Sequence, residues 1–199
     1  MKLFHLLPFL MLTINYSGSP IPPRPQADAA ASIGVSKKND NNEDEAIPWR
    51  LQRKLSWDDF HCAPQKQGEA VASTSTSLGI SYQVKNGQLT YTITCNFSKK
   101  KSWGLLKTDY ILAHEQAHFD ITELHARRLY EALHKYEFNA ETFKKDIATI
   151  YEKIVAEKEA MQQAYDSETD HSRRRRAQYD WLDKIDVMLA ETEPFAAYP

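Results

Sequence analysis

The chain has 199 residues, of which 25 are basic and 27 acidic, so its formal net charge is -2 at pH 7. This length predicts one folded domain of ordinary size. The nearly balanced charge argues against a protein that binds the phosphates of DNA or RNA, so no nucleic-acid partner is expected.

Residues 1–19 have the layout of a secretory signal peptide. One lysine precedes an apolar run from Leu3 to Ile14, and small polar residues follow. The apolar run is shorter than the roughly 20 residues that a membrane-spanning helix needs. We therefore expect a secreted or periplasmic protein of the cell envelope, with no stable membrane insertion once the signal peptide is cleaved.

Residues 20–48 are rich in Pro, Ala, Ser, Asn and charged residues and contain almost nothing large and apolar. This composition predicts a flexible linker. Large apolar side chains become frequent from Trp49 onwards, so the folded domain is predicted over residues 49–192.

A β-hairpin is predicted within residues 70–98. Two runs of alternating apolar residues flank Asn86-Gly87, which is a favoured two-residue hairpin turn. A tight turn would place both apolar sets on one face of the sheet. The expected pairs are Val84 with Leu89, Tyr82 with Tyr91, Ile80 with Ile93, and Leu78 with Cys95.

The chain has two cysteines, Cys62 and Cys95. In an oxidising compartment, a pair of cysteines predicts a single disulfide. A bond between them would join the segment around Cys62 to the sheet.

Three helices are predicted after the hairpin. Thr108 would cap a helix that runs to about Lys135, Asn139 a second and Ser172 a third. The second helix carries an apolar stripe that we interpret as core, formed by Phe143, Ile147, Ile150, Ile154 and Met161. The expected fold class is α+β, with a small antiparallel sheet packed on a three-helix C-terminal part.

The first helix contains the pattern HExxH, formed by His114, Glu115 and His118. Residues four apart on a helix differ by about 40° around the axis and about 6 Å along it, so both imidazoles can reach one ion. A glutamate between them can accept a proton from water. This arrangement indicates a zinc site with Glu115 as the catalytic base, and the HExxH helix makes the expected fold zincin-like.

A catalytic zinc site usually has three protein ligands, so one more is needed. His125 lies about 10 Å further along the helix than His118, which is too far for one ion. Asp120 and Glu123 point away from the two histidines and are expected to meet solvent or basic partners such as Arg127. His171, in a polar break between the second and third helices, is the remaining candidate.

Several segments together resemble the bacterial domain of unknown function 922 family, described as secreted zinc-dependent proteases. They are "LSWDDF", "SW" before the first helix, "HEQAHFDITELHARRL" and "YDSETDHSRRRRAQYDWLDKI". The resemblance implies His114 and His118 as metal ligands and Glu115 as the base, and it supports His171 as the third ligand. Ser172 and the run Arg173–Arg176 depart from the pattern, where a glycine and a less basic run are expected.

Two interpretations of Arg173–Arg176 stay open. The four arginines are expected to form a solvated surface at the start of the third helix, although cations there oppose the helix dipole. The alternative is that one guanidinium reaches the cleft and binds a carboxylate of the substrate.

The expected function is a zinc-dependent metallopeptidase that hydrolyses polypeptides by Glu-assisted attack of zinc-bound water. The substrate would lie along an edge of the sheet as an added strand. Tyr165 and Tyr179, which flank His171 in the sequence, are candidate donors to the oxyanion. Two alternatives are a non-catalytic zinc-binding envelope protein and a zinc amidase acting on cell-wall amide bonds. The sequence does not indicate the oligomeric state.

Overall fold

The computed structural model describes residues 45–49, 53–64 and 70–199. The predicted signal peptide and nearly all of the predicted linker lie outside the described residues. All described residues belong to one compact unit, Asn39–Pro199. None of the helices in the described ranges has the length and the apolar content to cross a membrane.

The main sheet has three antiparallel strands in the order β1-β4-β3. These are β1 Ala46–Pro48, β3 Thr76–Lys85 and β4 Gln88–Ser98. A separate pair is formed by β2 Ala72–Ser73 and β5 Trp103–Gly104. The small antiparallel sheet expected from the sequence is confirmed.

The register of the hairpin is the predicted one. All four expected pairs occur, from Val84 with Leu89 at the turn to Leu78 with Cys95 further along. Asn86 and Gly87 have φ angles of 53° and 75°, and this left-handed pair is what the favoured two-residue turn requires. The apolar side chains of the hairpin are not all buried, because Tyr82 and Val84 near the turn are 39% and 38% exposed.

The folded part begins earlier than predicted. Strand β1 lies inside the stretch assigned to the linker, where Ile47 pairs with Phe97 of β4 and is buried. A single apolar residue gives no periodic pattern, which is why the sequence did not reveal this strand. The fold also extends beyond residue 192, because the backbone oxygen of Pro199 accepts a hydrogen bond from the Ile93 amide at 2.7 Å.

The predicted Cys62–Cys95 disulfide is wrong, because both thiols are free. Cys95 is buried on the inner face of β4, beside the carboxyl of Glu123, and burial raises the pKa of its thiol well above the ordinary value. Cys62 lies in a segment whose backbone is bound elsewhere, since its amide donates to the Ser102 carbonyl at 3.0 Å. The alternating apolar pattern of β4 correctly predicted that Cys95 is buried. Its thiol, however, faces side chains of α1 and not Cys62.

Three helices follow the strands: α1 Asp109–His134, α2 Phe143–Thr169 and α3 Arg175–Glu191. Thr108 caps α1 as predicted, because its hydroxyl accepts from the Ile111 amide. The start of α2 is at Phe143, so the Asn139 cap is wrong, and the Asn139 side chain accepts from the Glu141 amide in the preceding turn. The predicted Ser172 cap of α3 is also wrong, because Ser172 has a φ of 73°, whereas a cap residue is normally extended.

Helix α1 lies at the centre of this unit, with apolar contacts on both sides. One side packs against the sheet and α2, in a core that includes Phe97, Phe119, Leu129 and Ile147. The other side packs against α2 and α3, in a cluster of Ala117, Ile121, Tyr165, Trp181 and Ile185. The α+β class is thus confirmed, and the HExxH helix is held on both sides.

Candidate metal centre

Two antiparallel helices bring the candidate ligands together. His114 and His118 lie one turn apart on α1, with ring centroids separated by 4.9 Å. Helix α2 runs back along α1, so that Gln162 meets His118 and Asp166 meets both histidines. Within the described part of the chain, His114, His118 and Asp166 form a group whose ligand atoms all lie within 4.8 Å of one another.

One oxygen of Asp166 faces both imidazoles. Its Oδ1 lies 3.2 Å from Nε2 of His114 and 3.1 Å from Nε2 of His118. Burial alone would raise the pKa of Asp166, but the hydrogen bonds and charges of the two imidazoles hold it well below the ordinary value. The carboxylate is therefore ionised at neutral pH, as a metal ligand must be.

The donor set fits zinc. Two imidazole nitrogens and a carboxylate oxygen are among the ligands that zinc takes, at about 2.0–2.2 Å each, in a tetrahedral arrangement. Ligand atoms at those bond lengths are separated by roughly 3.3 Å along the edges of the tetrahedron. The distances from Asp166 Oδ1 to the two Nε2 atoms, 3.2 and 3.1 Å, are close to such edges.

His171 lies beside this group. Its Nδ1 is 3.5 Å from Asp166 Oδ1, and its side chain is 54% exposed. The three consecutive residues Asp170, His171 and Ser172 have φ angles of 50°, 50° and 73°, a region that favours glycine and costs other residues free energy. Tyr110 fixes the end of this loop, because its hydroxyl donates to the Ser172 carbonyl at 2.6 Å.

The position of Ser172 explains one departure from the family pattern. The sequence led us to expect a glycine at this point, and the backbone there is indeed left-handed. The serine adopts this conformation while buried. His171 consequently stays at the edge of the cluster despite the missing glycine, and its role as a ligand remains a prediction.

Gln162 fixes the ring of His118. Its Oε1 lies 2.5 Å from Nδ1 of His118, and its Nε2 donates to the His118 carbonyl at 2.8 Å. An amide oxygen can only accept, so this contact places a ring proton on Nδ1 and leaves Nε2, which faces Asp166 Oδ1, as the nitrogen that can bind a cation. The contacts with Asp166 and Glu115 also raise the pKa of His118, although burial opposes this.

His114 is fixed by stacking. Its ring lies against Tyr165, with centroids 4.6 Å apart and planes inclined by 22°. Tyr165 is fully buried, and its hydroxyl points to the His114 carbonyl. Tyr179 is half exposed and packs on the ring of Tyr110. Neither tyrosine is among the residues that line the cleft described below, and their role as oxyanion donors remains a prediction.

Glu115 is buried next to the two histidines. It is 3% exposed, and its Oε2 receives no hydrogen bond from any described residue. Burial raises the pKa of this carboxyl above its ordinary value, and the nearby imidazoles of His118 and His114 and the hydroxyl of Thr74 oppose the increase only in part. Glu115 can therefore exchange a proton close to the candidate metal ligands.

These groups open into a cleft of about 580 Å³. Residues 70–76, which include β2, form one wall, and α2 forms another through Lys158, Glu159 and Gln162. His114, Glu115, His118 and Asp166 also line the cleft, together with His171 and Ser172 of the α2–α3 loop. The volume lies within the range of small-ligand sites.

The other candidate ligands on α1 have partners away from this cleft. The buried ring of His125 contacts the Ile121 carbonyl at 2.8 Å. Glu123 pairs with Arg127 at 2.9 Å as predicted, although the pair is buried and not solvated. Asp120 accepts from the indole of Trp49 at 2.7 Å. Their exclusion as metal ligands therefore agrees with the geometry.

The chain matches the model of a known protein family. A family model described as "Bacterial protein of unknown function (DUF922)" matches residues 19–172. The match covers well over half of the chain and includes the HExxH helix, Asp166 and His171. The chain belongs to the DUF922 family. The resemblance inferred from its motifs is thus confirmed.

No curated protein and no solved structure matches this DUF922 protein significantly. The family description itself assigns no activity. The zincin-like relationship and the zinc-dependent activity of this DUF922 protein accordingly remain predictions.

Asp166 is the residue that sequence reasoning missed in this DUF922 protein. The segment around it was assigned to a polar break, whereas α2 continues to Thr169. The apolar stripe of α2 was followed only as far as Met161. Continuing this stripe by four residues beyond Met161 reaches Tyr165, which is buried. The predicted helix would then have included Asp166, the next residue.

Proposed function

We propose that this protein is a secreted or periplasmic zinc-dependent peptidase. His114, His118 and Asp166 would hold the zinc, and Glu115 would transfer protons. One observation carries the proposal: the carboxylate of Glu115 is buried on the wall of the cleft, beside the three candidate ligands, with no hydrogen bond from a described residue to its Oε2.

A buried carboxylate with an unsatisfied oxygen destabilises a fold by roughly 1–3 kcal/mol or more. Groups of this kind with a shifted pKa are concentrated at functional sites. Here the raised pKa of Glu115 makes its carboxylate a better proton acceptor than that of an ordinary glutamate. Catalysis explains its position better than stability does.

When bound, zinc would lower the pKa of a coordinated water towards neutrality and polarise the carbonyl of the substrate. Glu115 would accept a proton at Oε2 from the attacking water and deliver it to the leaving amine. Gln162 would keep the Nε2 atom of His118 directed at the site. The stacked ring of Tyr165 would do the same for His114.

A polypeptide is the substrate class that suits the cleft. Its wall over residues 70–76 contains a β-strand, and extended backbone can bind an extended peptide along its length. The N-terminal sequence supports an envelope location, where extracellular polypeptides are available. A zinc amidase acting on cell-wall amide bonds would use the same catalytic groups, so both substrates belong in the test.

One observation favours a second candidate, a zinc-binding envelope protein without hydrolytic activity. Structural zinc sites are closed by a fourth protein ligand. The Nδ1 atom of His171 lies 3.5 Å from Asp166 Oδ1, which is near enough for His171 to take the position that a catalytic site leaves to water.

The experiment compares the zinc-loaded full chain with Glu115→Gln on unfolded proteins and on cell-wall fragments. We expect Glu115→Gln to retain zinc and to lose hydrolysis by about 10²–10⁴-fold, the usual contribution of a general base. Glu159→Gln is the matched control, because Glu159 lines the same cleft at its rim, paired with Lys158. Undiminished turnover by Glu115→Gln would overturn the assigned base, and a zinc-loaded wild type that cleaves neither substrate would favour the second candidate.

A further inference from the structure

A second cavity, of about 310 Å³, adjoins the metal cleft. Val71, His171 and Ser172 line both spaces, so the two cavities meet at Val71 and the His171 loop. Its remaining lining residues come from the β5–α1 connection, the first turn of α1, the α2–α3 loop and the start of α3: Leu106, Thr108, Tyr110, Ile111, Arg173 and Arg175.

The walls of this cavity combine apolar and basic groups. Val71, Leu106, Ile111 and the ring of Tyr110 supply apolar surface, and Leu106 is 50% exposed. Arg175 supplies positive charge, as does Arg173, which is paired with Asp170 at 3.4 Å, and the lining itself contains no Asp or Glu. A ligand of this space would therefore have an apolar part and a negative charge.

Arg175 is the arginine that is positioned for such a ligand. Its guanidinium carbon lies 4.6 Å from the centre of the Tyr110 ring, and no carboxylate in the described part of the chain forms an ion pair with it. Stacking leaves the N–H groups in the plane of the guanidinium available to donate. By contrast, Arg176 forms an ion pair with Asp180 at 3.0 Å and does not line the cavity.

The platform under Arg175 is rigid. The Tyr110 hydroxyl donates to the Ser172 carbonyl at 2.6 Å. The Tyr110 carbonyl accepts from the buried side chain of Gln178 on α3 at 3.0 Å. Tyr110 is thus fixed to the His171 loop and to the helix that carries Arg175, so the guanidinium is held next to the cleft at little further entropic cost.

We propose that this second cavity is a subsite for a carboxylate of the substrate, bound by Arg175. The substrate class is a peptide that has an apolar residue and a carboxylate on the His171 side of the bond to be cleaved. The carboxylate belongs either to an acidic side chain or to the C-terminus, because a guanidinium binds both in the same bidentate way. This proposal rests on the proposed function and adds a substrate preference to it. Arg175 lies outside residues 19–172, the range that the DUF922 family model matches.

The test measures binding and hydrolysis separately. Dye-labelled octapeptides of alanine and leucine would carry one glutamate or one glutamine, each with a free or an amidated C-terminus. Their affinity for the full chain would be measured by fluorescence anisotropy, with and without zinc. The variants are Arg175→Gln and the matched control Arg176→Gln, which removes the same charge one residue away from the cavity.

We expect the wild type to bind peptides with a carboxylate about 10-fold or more tightly than the glutamine peptide with an amidated end, since charge-assisted hydrogen bonds have that effect. Arg175→Gln should abolish this preference, and Arg176→Gln should keep it. The glutamate peptide with an amidated end and the glutamine peptide with a free end separate the two sources of the carboxylate. Thermal unfolding of both variants checks that they fold.

Three outcomes would overturn the subsite. They are a wild type without a preference, a preference that persists in Arg175→Gln, and an equal loss of preference in both variants, which would indicate general charge attraction. The proposed function fails differently. If the carboxylate preference depends on Arg175 but zinc-loaded protein cleaves no peptide, the binding site stands and the peptidase activity does not.

Discussion

The carboxylate oxygen Oδ1 of Asp166 lies 3.1 Å from Nε2 of His118. The two residues are 48 positions apart in the sequence and meet because α2 runs back along α1. Asp166 thereby supplies to the HExxH helix the acidic partner that the helix itself does not provide, since Asp120 and Glu123 are bound to other groups.

We expect Asp166→Asn to lower zinc affinity by at least about 100-fold. The substitution keeps the size of the side chain but replaces an anionic ligand by a neutral amide, and even indirect partners of metal ligands contribute about 10–100-fold. Competition with a chelating dye measures the affinity. Asp170→Asn is the control, because it makes the same change in charge four residues further on, at a half-exposed left-handed position that asparagine tolerates. Equal affinities of Asp166→Asn and wild type would exclude Asp166 as a ligand.

His171→Ala, measured in the same assay, distinguishes the two candidates for the third ligand. Because His171 is half exposed and its Nδ1 lies 3.5 Å from Asp166 Oδ1, further than either Nε2 of His114 or His118, we expect a smaller loss of zinc affinity than in Asp166→Asn. A larger loss in His171→Ala would restore His171 as the third ligand, as the sequence predicted.

Gln162→Leu tests the orientation of His118. Removal of the amide leaves Nδ1 of His118 without its acceptor, so both the tautomer and the ring angle are less restricted. We expect zinc affinity to fall by about 10–100-fold, with helix content by circular dichroism unchanged. Gln163→Leu changes the neighbouring, exposed glutamine and should bind zinc like the wild type. If both variants lose affinity equally, the effect comes from α2 as a whole and not from the contact with His118.

Features governed by local rules were predictable from the sequence. Asn86-Gly87 and the alternation on both sides gave the register of β3 and β4 residue by residue. Thr108 and the periodic pattern after it gave α1 with its cap. The ion pair of Glu123 with Arg127 followed from their spacing of four residues.

Features that depend on contacts between distant segments were not predictable. Asp166 becomes a candidate ligand only through the pairing of α1 with α2, which no local pattern encodes. Strand β1 has three residues and exists because β4 offers an edge for it. The left-handed conformation of Asp170, His171 and Ser172 likewise depends on Tyr110, far away in the sequence, which holds the Ser172 carbonyl.

The free cysteines can be counted directly. The protein would be produced in an oxidising compartment and then unfolded without reductant. We expect two free thiols per chain in this sample. In the native state Cys62 should react slowly and Cys95 not at all, because Cys95 is 3% exposed. Reaction with a chromogenic disulfide reagent and mass spectrometry after alkylation give the count. Cys62→Ala should leave one thiol, and detection of two thiols only after reduction would restore the disulfide.

Asp59 stabilises the segment that leads into the hairpin, and its contribution should depend on pH. The buried carboxylate accepts hydrogen bonds from the Ser56 amide at 2.8 Å and from Arg53 at 2.7 Å. Burial alone would raise the pKa of Asp59, but these partners lower it overall. At pH 7 we expect Asp59→Asn to reduce the free energy of unfolding by about 1–3 kcal/mol, towards the low end because Arg53 is 44% exposed and solvent screens the ion pair.

The sign of the pH dependence follows from the lowered pKa. An aspartate with a lower pKa in the folded than in the unfolded state stabilises the fold above the unfolded value, about 3.9, and this stabilisation is lost as the pH falls through the folded value. In urea unfolding, the difference between wild type and Asp59→Asn should therefore be constant from pH 7 to about pH 5 and shrink below about pH 4. Asp58→Asn, at the exposed neighbouring residue, should stay within about 0.5 kcal/mol of the wild type throughout. A difference for Asp59→Asn that persists undiminished in acid would show that its side chain acts by packing and not by its charge.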